Sequence, residues 1–282
     1  YRDAAAAYPT HSIPESVHLE MEQVPLALFQ RMSRAFPFRE ALPLDAVLAH
    51  LRAFKSPYEL LCMEKAGQIH RKVLEELLPT LLREGMPEVE LALRLYETMV
   101  AEGHHGVARF GMYDTEMIVG HVSFGDSALT PTSFNGPGGN RGLCPAVPLM
   151  GSRERRLQSG DLVFVDAACG FEGYHTDKTM TLIYRGDLPE TALRAHRICL
   201  GIERDIQTRL RPGAVPSEIY RAVMAGLPAD MPGDFMGYGP RCVKFLGHGT
   251  GLTIDEWPVI AEGFNEPLKE GMCIAVEPKI GL

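Results

Sequence analysis

Three carboxylates and one histidine stand inside or beside short apolar segments, and this feature constrains the fold of the chain more than any other. Asp166, for example, lies within the run Val163-Phe164-Val165-Asp166-Ala167. The set consists of Asp166, Asp177, His248 and Glu277. Short apolar, β-branched runs are typical of buried strands, where a carboxylate is costly unless it is paired or bound to a metal ion. One such aspartate is commonly a hydrogen-bonded structural residue, but four residues in similar contexts indicate a common cause, of which a metal site is one candidate.

The length and the helix signals predict how the chain is organised. A chain of 282 residues corresponds to one large domain or two smaller ones. Lys55-Ser56-Pro57-Tyr58-Glu59 predicts a helix start, with Ser56 as N-cap and Glu59 closing a capping box. Residues 1–55 are too short for a domain, so we expect them to be the end of an N-terminal domain, followed by a second domain over 56–282. The absence of an initiator Met favours a fragment.

The order of the predicted elements is mixed. Two helices, with a kink expected near Pro79, precede a segment rich in strands and loops, and helices over 189–210 and 217–225 follow its first strands. This order is consistent with a two-fold internal repeat, although no repeated sequence supports one. The loop over 133–142 is rich in glycine but has no G-K-[ST] and no regular G-x-G-x-x-G, so it is not a phosphate loop. It is either a plain turn-rich loop or one that lines a site.

Charge and composition exclude several classes of protein. The net charge is −8, which argues against a broad nucleic-acid or anionic-membrane surface. No run approaches 18 apolar residues, and the first residues do not resemble a signal peptide. The six cysteines are far apart and form no C-x-x-C pair. We therefore expect reduced, mostly buried thiols and a cytoplasmic location.

Four motifs resemble those of the pita-bread metallopeptidases, the superfamily of methionine aminopeptidase, prolidase, aminopeptidase P and creatinase. The segment Val165-Asp166 with residues 173–181 resembles V-D-x-G…G-Y-x-S-D-x-T-R-T, and residues 247–252 resemble G-H-G-x-G-L. Residues 270–278 resemble the G-M…E-P strand, and the helix start at Lys55 resembles the K-S-x-x-E entry of the catalytic domain. The similarity covers residues 55–282 in the family order. It implies an α+β fold, with a curved antiparallel sheet, helices on the convex face and the site on the concave face.

The resemblance also implies a site built around two divalent ions. Asp166, Asp177, His248 and Glu277 match four of the family's five metal ligands, and the fifth, a Glu, would lie beyond Leu282. Oxygen-rich ligation with one imidazole suits Mn²⁺ best, with Co²⁺, Fe²⁺ or Zn²⁺ as alternatives. The ions would hold a water nucleophile and polarise the substrate carbonyl. The expected partners are a small peptide or small-molecule substrate and a second copy of the chain in a homodimer, with neither nucleic acid nor membrane.

Two family histidines that position and stabilise the reacting amide are absent from the matching positions. Residues 143–148 contain no His, and Asp255 stands seven residues after His248, where the family has H-E-x-P. An ionised carboxylate cannot donate a hydrogen bond. We therefore take Asp255, Glu256 and His121 as candidate catalytic residues, with His121 as the substitute for a missing histidine.

Three functions remain open from the sequence. The first is a dinuclear hydrolase of Xaa-Pro-like peptides. The second is a creatinase-like hydrolase or lyase acting on a small metabolite. The third is a binding module without activity, against which the retained ligands argue. Asp255 beside dications would stay ionised, so we expect weak activity on simple Xaa-Pro dipeptides and a preference for a substrate with a positive group near the reacting centre.

Overall fold

The computed structural model describes residues 2–7, 14–36, 38–132 and 136–282, and it separates them into two compact units. One unit contains Tyr1–Arg52 with Met112–Thr115, and the other contains Ala53–Gly111 with Glu116–Leu282. The boundary after Arg52 lies three residues before the predicted end of the N-terminal segment. That this segment is the end of an N-terminal domain stays a prediction.

The elements of the smaller unit are short. They are helix α1 (Arg2–Ala7), strand β1 (Ser16–Leu19), helix α2 (Leu26–Ala35), strand β2 (Glu40–Pro43) and helix α3 (Asp45–Ala53), which runs just into the larger unit. Strands β1 and β2 pair in parallel, with Ser16 opposite Glu40.

The first half of the larger unit combines helices with an antiparallel sheet. The helices are α4 (Pro57–Arg71), a π-helical turn (Lys72–Leu77), α5 (Leu78–Leu81) and α6 (Glu88–Ala101). The strands are β3 (Ala108–Arg109), β4 (Glu116–Met117), β5 (Gly120–Phe124), β6 (Leu162–Phe171) and β7 (Tyr174–Ile183), with a 3₁₀ turn at Gly125–Leu129. Strands β5, β6 and β7 form one antiparallel sheet, on which α4 and α6 pack. We call α4, α6 and this sheet the first module; its core includes Leu74, Leu95 and Val122.

The second half of the larger unit also combines helices with antiparallel strands. Its helices are α7 (Glu190–Arg209) and α8 (Pro216–Ala225). Its strands are β8 (Asp234–Phe235), β9 (Gly237–Tyr238), β10 (Arg241–Cys242), β11 (Phe245–Gly249), β12 (Glu256–Ala261), β13 (Ile274–Val276) and β14 (Ile280–Gly281). Strand β11 pairs antiparallel with both β12 and β13. We call α7, α8 and this three-stranded sheet the second module; its core includes Ile206, Leu246 and Ile260.

Among the described residues, antiparallel pairing forms two three-stranded sheets and three two-stranded sheets. The irregularity expected near Pro79 is a π-helical turn that ends two residues before it; a proline in a regular α-helix would clash with the carbonyl four residues earlier, at Glu75 inside that turn. All six cysteines are free, as expected, but only Cys62 and Cys169 are buried, so the prediction of mostly buried thiols is wrong. Within the described residues, no helix is both long and apolar enough to cross a membrane.

Candidate metal centre

Asp166 lies near the middle of the ten-residue strand β6, which is the central strand between β5 and β7. It is opposite His121 of β5 and opposite Thr179 of β7. Directly opposed residues of antiparallel strands share one face of the sheet. The Thr179 hydroxyl donates to Oδ1 of Asp166 at 2.8 Å, which fixes the orientation of the carboxylate and leaves Oδ2 for another partner.

Close packing of β5 against β6 depends on Gly120. Its φ is +139°, and a Cβ atom at this position would lie 2.1 Å from the Asp166 carbonyl oxygen. Any other residue would therefore push β5 away from the strand that carries Asp166. The glycine-rich loop also reaches this point, since a Cβ on Gly138 would lie 3.6 Å from Asp166 Oδ2. The described part of the loop, residues 136–142, thus lines the site; residues 133–135 are outside the described residues.

Asp177 and His248 come together across the two modules. Asp177 lies on β7 two residues before Thr179, so it faces the same side of the sheet as Thr179 and Asp166. His248 lies on β11, the central strand of the second sheet. Its Nε2 atom is 3.6 Å from Asp177 Oδ2, too far for a hydrogen bond. Its Nδ1 atom lies 3.0 Å from the Gly249 carbonyl, which can only accept, so Nδ1 carries a proton.

Glu277 follows strand β13 and completes this group. The Glu277 amide donates to the Leu246 carbonyl at 3.1 Å, which holds residue 277 beside β11. Its Oε1 atom lies 3.3 Å from His248 Nε2. Both Asp177 and Glu277 are therefore on the Nε2 side of the imidazole ring.

A fifth residue, Lys279, enters the site and was not expected from the sequence. Its Nζ atom lies 2.9 Å from Glu277 Oε2 and 3.1 Å from Asp166 Oδ2. The alternation of residues in extended chain gives the signal that was missed: residues 277 and 279 are two apart, so they point to the same side.

The electrostatics of the site follow from burial and these contacts. Burial by itself would lower the pKa of His248, but the facing carboxylates raise it well above its usual value. Burial and the neighbouring acids Asp166 and Glu277 raise the pKa of Asp177. Burial opposes ionisation of Asp166, yet the Lys279 ammonium holds its pKa below the usual value. The three buried carboxylates thus face two groups whose cationic forms they favour, the His248 ring and the Lys279 ammonium.

The donor types on the His248 side fit a divalent cation. Two donors at about 2.0–2.2 Å from one tetrahedral ion are roughly 3.4 Å apart, close to the two distances from Nε2 to the Asp177 and Glu277 oxygens, 3.6 and 3.3 Å. With Nδ1 protonated, loss of the Nε2 proton on ion binding would leave an Nε2 lone pair directed at that point. Across the described residues, no group of three or more His, Cys, Asp and Glu side chains forms a shell ready to hold an ion.

The catalytic candidates occupy three different environments. His121 is buried opposite Asp166, and burial lowers its pKa, so the ring is neutral near pH 7. Asp255 accepts a hydrogen bond at Oδ1 from the Gly111 amide at 2.7 Å. Glu256 forms a buried ion pair with Lys55 at 3.1 Å and accepts from the Thr253 amide at 3.0 Å. The structure thus places His121 beside Asp166 and shows Asp255 and Glu256 bound to loop and helix-start groups.

Three other histidines hold main-chain groups. His104 is buried and accepts at Nδ1 from the Gly170 amide at 2.8 Å. His105 and His175 lie ring to ring, with centroids 5.0 Å apart. The His175 Nδ1 atom lies 3.1 Å from the Gly251 carbonyl. His175 therefore connects β7 to the loop after His248, although it lies only two residues from Asp177.

Comparison with known proteins decides the family of this chain. The family model described as "Metallopeptidase family M24" matches residues 61–282. The chain belongs to metallopeptidase family M24. Among relatives of this family, the Xaa-Pro dipeptidase of Pyrococcus furiosus is 28% identical over 242 residues, covering 86% of this chain and 60% of the relative. A probable dipeptidase PepE of Mycobacterium tuberculosis is 30% identical over 239 residues, covering 83% and 53%.

Solved structures of family M24 agree with the fold. The X-Pro aminopeptidase of Thermotoga maritima superposes with a TM-score of 0.72 at 26% identity, covering 95% of this chain and 66% of that one. The prolidase of Pyrococcus furiosus gives 0.73 at 24% identity, covering 95% and 68%. The α+β pita-bread fold expected from the sequence is therefore confirmed. The chain spans about 60% of the length of the Pyrococcus furiosus dipeptidase that it matches.

Proposed function

We propose that this chain forms the catalytic part of a metal-dependent hydrolase that cleaves short peptides at an Xaa-Pro bond. The observation that carries the proposal is the convergence of Asp177, His248 and Glu277 from two modules on one point, in a chain of a metallopeptidase family. The dipeptidase names of the relatives support the substrate class. Manganese is the proposed native ion, because three carboxylates with one imidazole suit it better than a thiolate-type zinc site.

Each residue of the site has a proposed role that follows from its position. A bound divalent ion would polarise the substrate carbonyl and activate a water. His248 is held by its Nδ1–H bond to Gly249 so that Nε2 stays aimed between Asp177 and Glu277. His121 is buried beside Asp166, and its proposed role is to position the carbonyl oxygen of the reacting amide. Asp255 and Glu256 stay predicted catalytic candidates, while their contacts support a role in shaping the loop near Gly251.

A creatinase-like reaction on a small cationic metabolite is the second candidate. It is favoured by Asp255, an acid at the position where the family has a hydrogen-bond donor, and by the absence of histidine in residues 143–148. We also propose a homodimer that acts in the cytoplasm without nucleic acid or membrane. The six free thiols and the net charge of −8 support this setting.

The experiment is a substrate panel on the full-length protein. Xaa-Pro dipeptides, matched Xaa-Ala dipeptides and small cationic amides are offered with Mn²⁺ and with a chelator. We expect metal-dependent cleavage selective for Xaa-Pro, slow against the usual range of about 1–10³ s⁻¹. Asp255→His should raise this rate, whereas Asp255→Asn, which keeps an acceptor for the Gly111 amide, should not. A protein that binds Mn²⁺ but cleaves only the cationic amides would overturn the peptidase proposal in favour of the second candidate.

A further inference from the structure

Arg241 is a half-buried cation near the candidate metal centre, and it has no acidic partner in the part of the chain that the structure describes. Its Nη1 atom donates to the Thr132 hydroxyl at 3.3 Å. By contrast, Lys279 and Arg155 each lie against two carboxylates. A guanidinium has five N–H donors, so most of the donors of Arg241 remain for a ligand or for water.

Main-chain pairing holds Arg241 close to the segment of Lys279. Strand β10, which begins at Arg241, pairs antiparallel with β9. Met236, the residue before β9, donates its amide to the Lys279 carbonyl at 2.8 Å. Strand β14, which directly follows Lys279, pairs with β8. The hairpin of β9 and β10 therefore lies against the segment that supplies Lys279 to the site.

Thr132 connects the Arg241 guanidinium to the loop that lines the site. Thr132 lies two residues after Thr130, whose carbonyl accepts from the Asn140 amide at 3.1 Å. This bond holds the chain near Thr132 beside the described part of the loop, residues 136–142. The guanidinium thus spans from the hairpin of the second half to a loop of the first half.

His121 gives a second indication that Arg241 is close to the site. Burial is the main cause of the lowered pKa of His121, and the positive charges of Lys279 and Arg241 lower it further. His121 is opposite Asp166 across β5 and β6. The charge of Arg241 is therefore felt at a ring that lies beside a predicted metal ligand.

The chemistry of a guanidinium without an acidic partner suits a carboxylate of the substrate. A guanidinium binds a carboxylate through two parallel hydrogen bonds. In an Xaa-Pro dipeptide only three bonds separate the reacting carbonyl carbon from the carboxylate carbon, so these atoms are at most about 4 Å apart. Each further residue would move the carboxylate away by up to about 3.6 Å. A cation at the edge of the site is therefore placed for a dipeptide and not for a longer chain.

We propose that Arg241 is a specificity-determining residue that binds the C-terminal carboxylate of a dipeptide substrate. The inference rests on the proposed function and narrows its substrate class from short peptides to dipeptides with a free carboxylate. It also opposes the second candidate function, because a guanidinium beside the site repels a cationic metabolite.

A matched pair of substrates tests the inference in the full-length protein loaded with Mn²⁺. The pair is Ala-Pro and its C-terminal amide, which differ in the carboxylate alone. We expect KM to be about 10–100-fold lower for Ala-Pro, with similar kcat. Arg241→Met should raise KM for Ala-Pro to the value for the amide and leave KM for the amide unchanged. Arg241→Lys, which keeps the charge, should retain part of the preference. Arg204→Met, at an exposed position of α7, is the control and should retain all of it.

Calorimetry with L-proline and L-prolinamide gives a second test that needs no turnover. The unaltered protein should bind L-proline about 10–100-fold more tightly than L-prolinamide. Arg241→Gln, which keeps an amide donor for Thr132 but no charge, should bind the two equally. Equal binding of the two compounds by the unaltered protein, binding of neither, or a preference that persists without Arg241 would each overturn the inference. Carboxylate-dependent binding without cleavage of Ala-Pro would instead reject the proposed function and leave the inference standing. Cleavage of Ala-Pro and its amide with equal KM would do the opposite.

Discussion

The Lys279 ammonium lies 2.9 Å from the carboxylate of Glu277, with only Pro278 between the two residues in the chain. Neighbours at this spacing share one side of an extended chain, so the segment that supplies a predicted metal ligand also supplies its own counter-ion. The Lys279 ammonium therefore compensates part of the negative charge of the site even when no metal ion is bound.

His248→Ala should weaken the binding of Mn²⁺, because it removes one of the donors at the proposed ion position. The imidazole is the sole nitrogen ligand in the proposed set, and even groups that merely orient a metal ligand contribute 10–100-fold to affinity. We expect the dissociation constant for Mn²⁺, measured by calorimetry, to rise by at least about 100-fold. His196→Ala, at an exposed position of α7, is the control and should bind Mn²⁺ normally. Equal affinity in both variants would remove His248 from the site.

Lys55→Met should destabilise the larger unit, because it leaves the Glu256 carboxylate buried without its cation. The two side chains are 1% and 4% exposed. Removing one partner of a buried ion pair costs about 3–5 kcal/mol, which urea unfolding will measure. The control is Lys72→Met, which breaks the more exposed pair with Glu102 and should cost no more than about 1 kcal/mol. Similar losses in the two variants would contradict the structural role assigned to Lys55.

Glu88→Ala should also be strongly destabilising, for a different reason. The Glu88 carboxylate is fully buried and accepts from the Phe124 and Ser152 amides, both at 2.7 Å. Truncation leaves two buried donors without this acceptor, at about 1–3 kcal/mol each. Glu97→Ala, on an exposed position of the same helix α6, should change the free energy of unfolding by less than about 0.5 kcal/mol. A small effect at Glu88 would show that water replaces the carboxylate.

Acidification should destabilise the fold through two buried histidines. Burial lowers the pKa of His104 to about 4 and that of His70 to about 3, whereas both titrate near 6.5 when unfolded. Between these values the unfolded chain binds more protons, so stability is complete above about pH 6.5 and falls as the pH drops toward 4. Each histidine contributes a slope of up to about 1.4 kcal/mol per pH unit.

A series of unfolding curves from pH 7 to pH 4 checks this expectation. His104→Asn keeps an acceptor for the Gly170 amide but cannot titrate, so its stability should depend less steeply on pH. His196→Asn, at an exposed position, should keep the slope of the unaltered protein. An unchanged slope in His104→Asn would assign the acid sensitivity to other groups.

Local signals predicted the elements that local interactions build. The capping box at Ser56 and Glu59 is present, with Pro57 opening helix α4. The predicted helices over 189–210 and 217–225 agree with α7 and α8 to within a residue at each end. The bounds of strand β11 were not predicted, because its sequence, Phe-Leu-Gly-His-Gly, contains two glycines and little of the alternation that marks a strand.

The sequence predicted the four candidate ligands of the site, but it did not predict the lysine that balances part of their charge. Asp166, Asp177, His248 and Glu277 could be selected because each polar side chain interrupts or ends an apolar or glycine-rich segment. Lys279 could not be selected in this way, since a lysine near a strand end is ordinarily solvated. The two-residue spacing places Lys279 on the side of Glu277, but its contact with Asp166 depends on how β6 and the segment after β13 come together, which that spacing does not encode.

The two modules have separate apolar cores, yet the proposed ligands come from both: Asp177 from the first, His248 and Glu277 from the second. An ion held by all three would link the first module to the second. By mass action it would stabilise the closed arrangement in proportion to the logarithm of its free concentration. The melting temperature of the larger unit would then rise with the free manganese concentration of the surroundings.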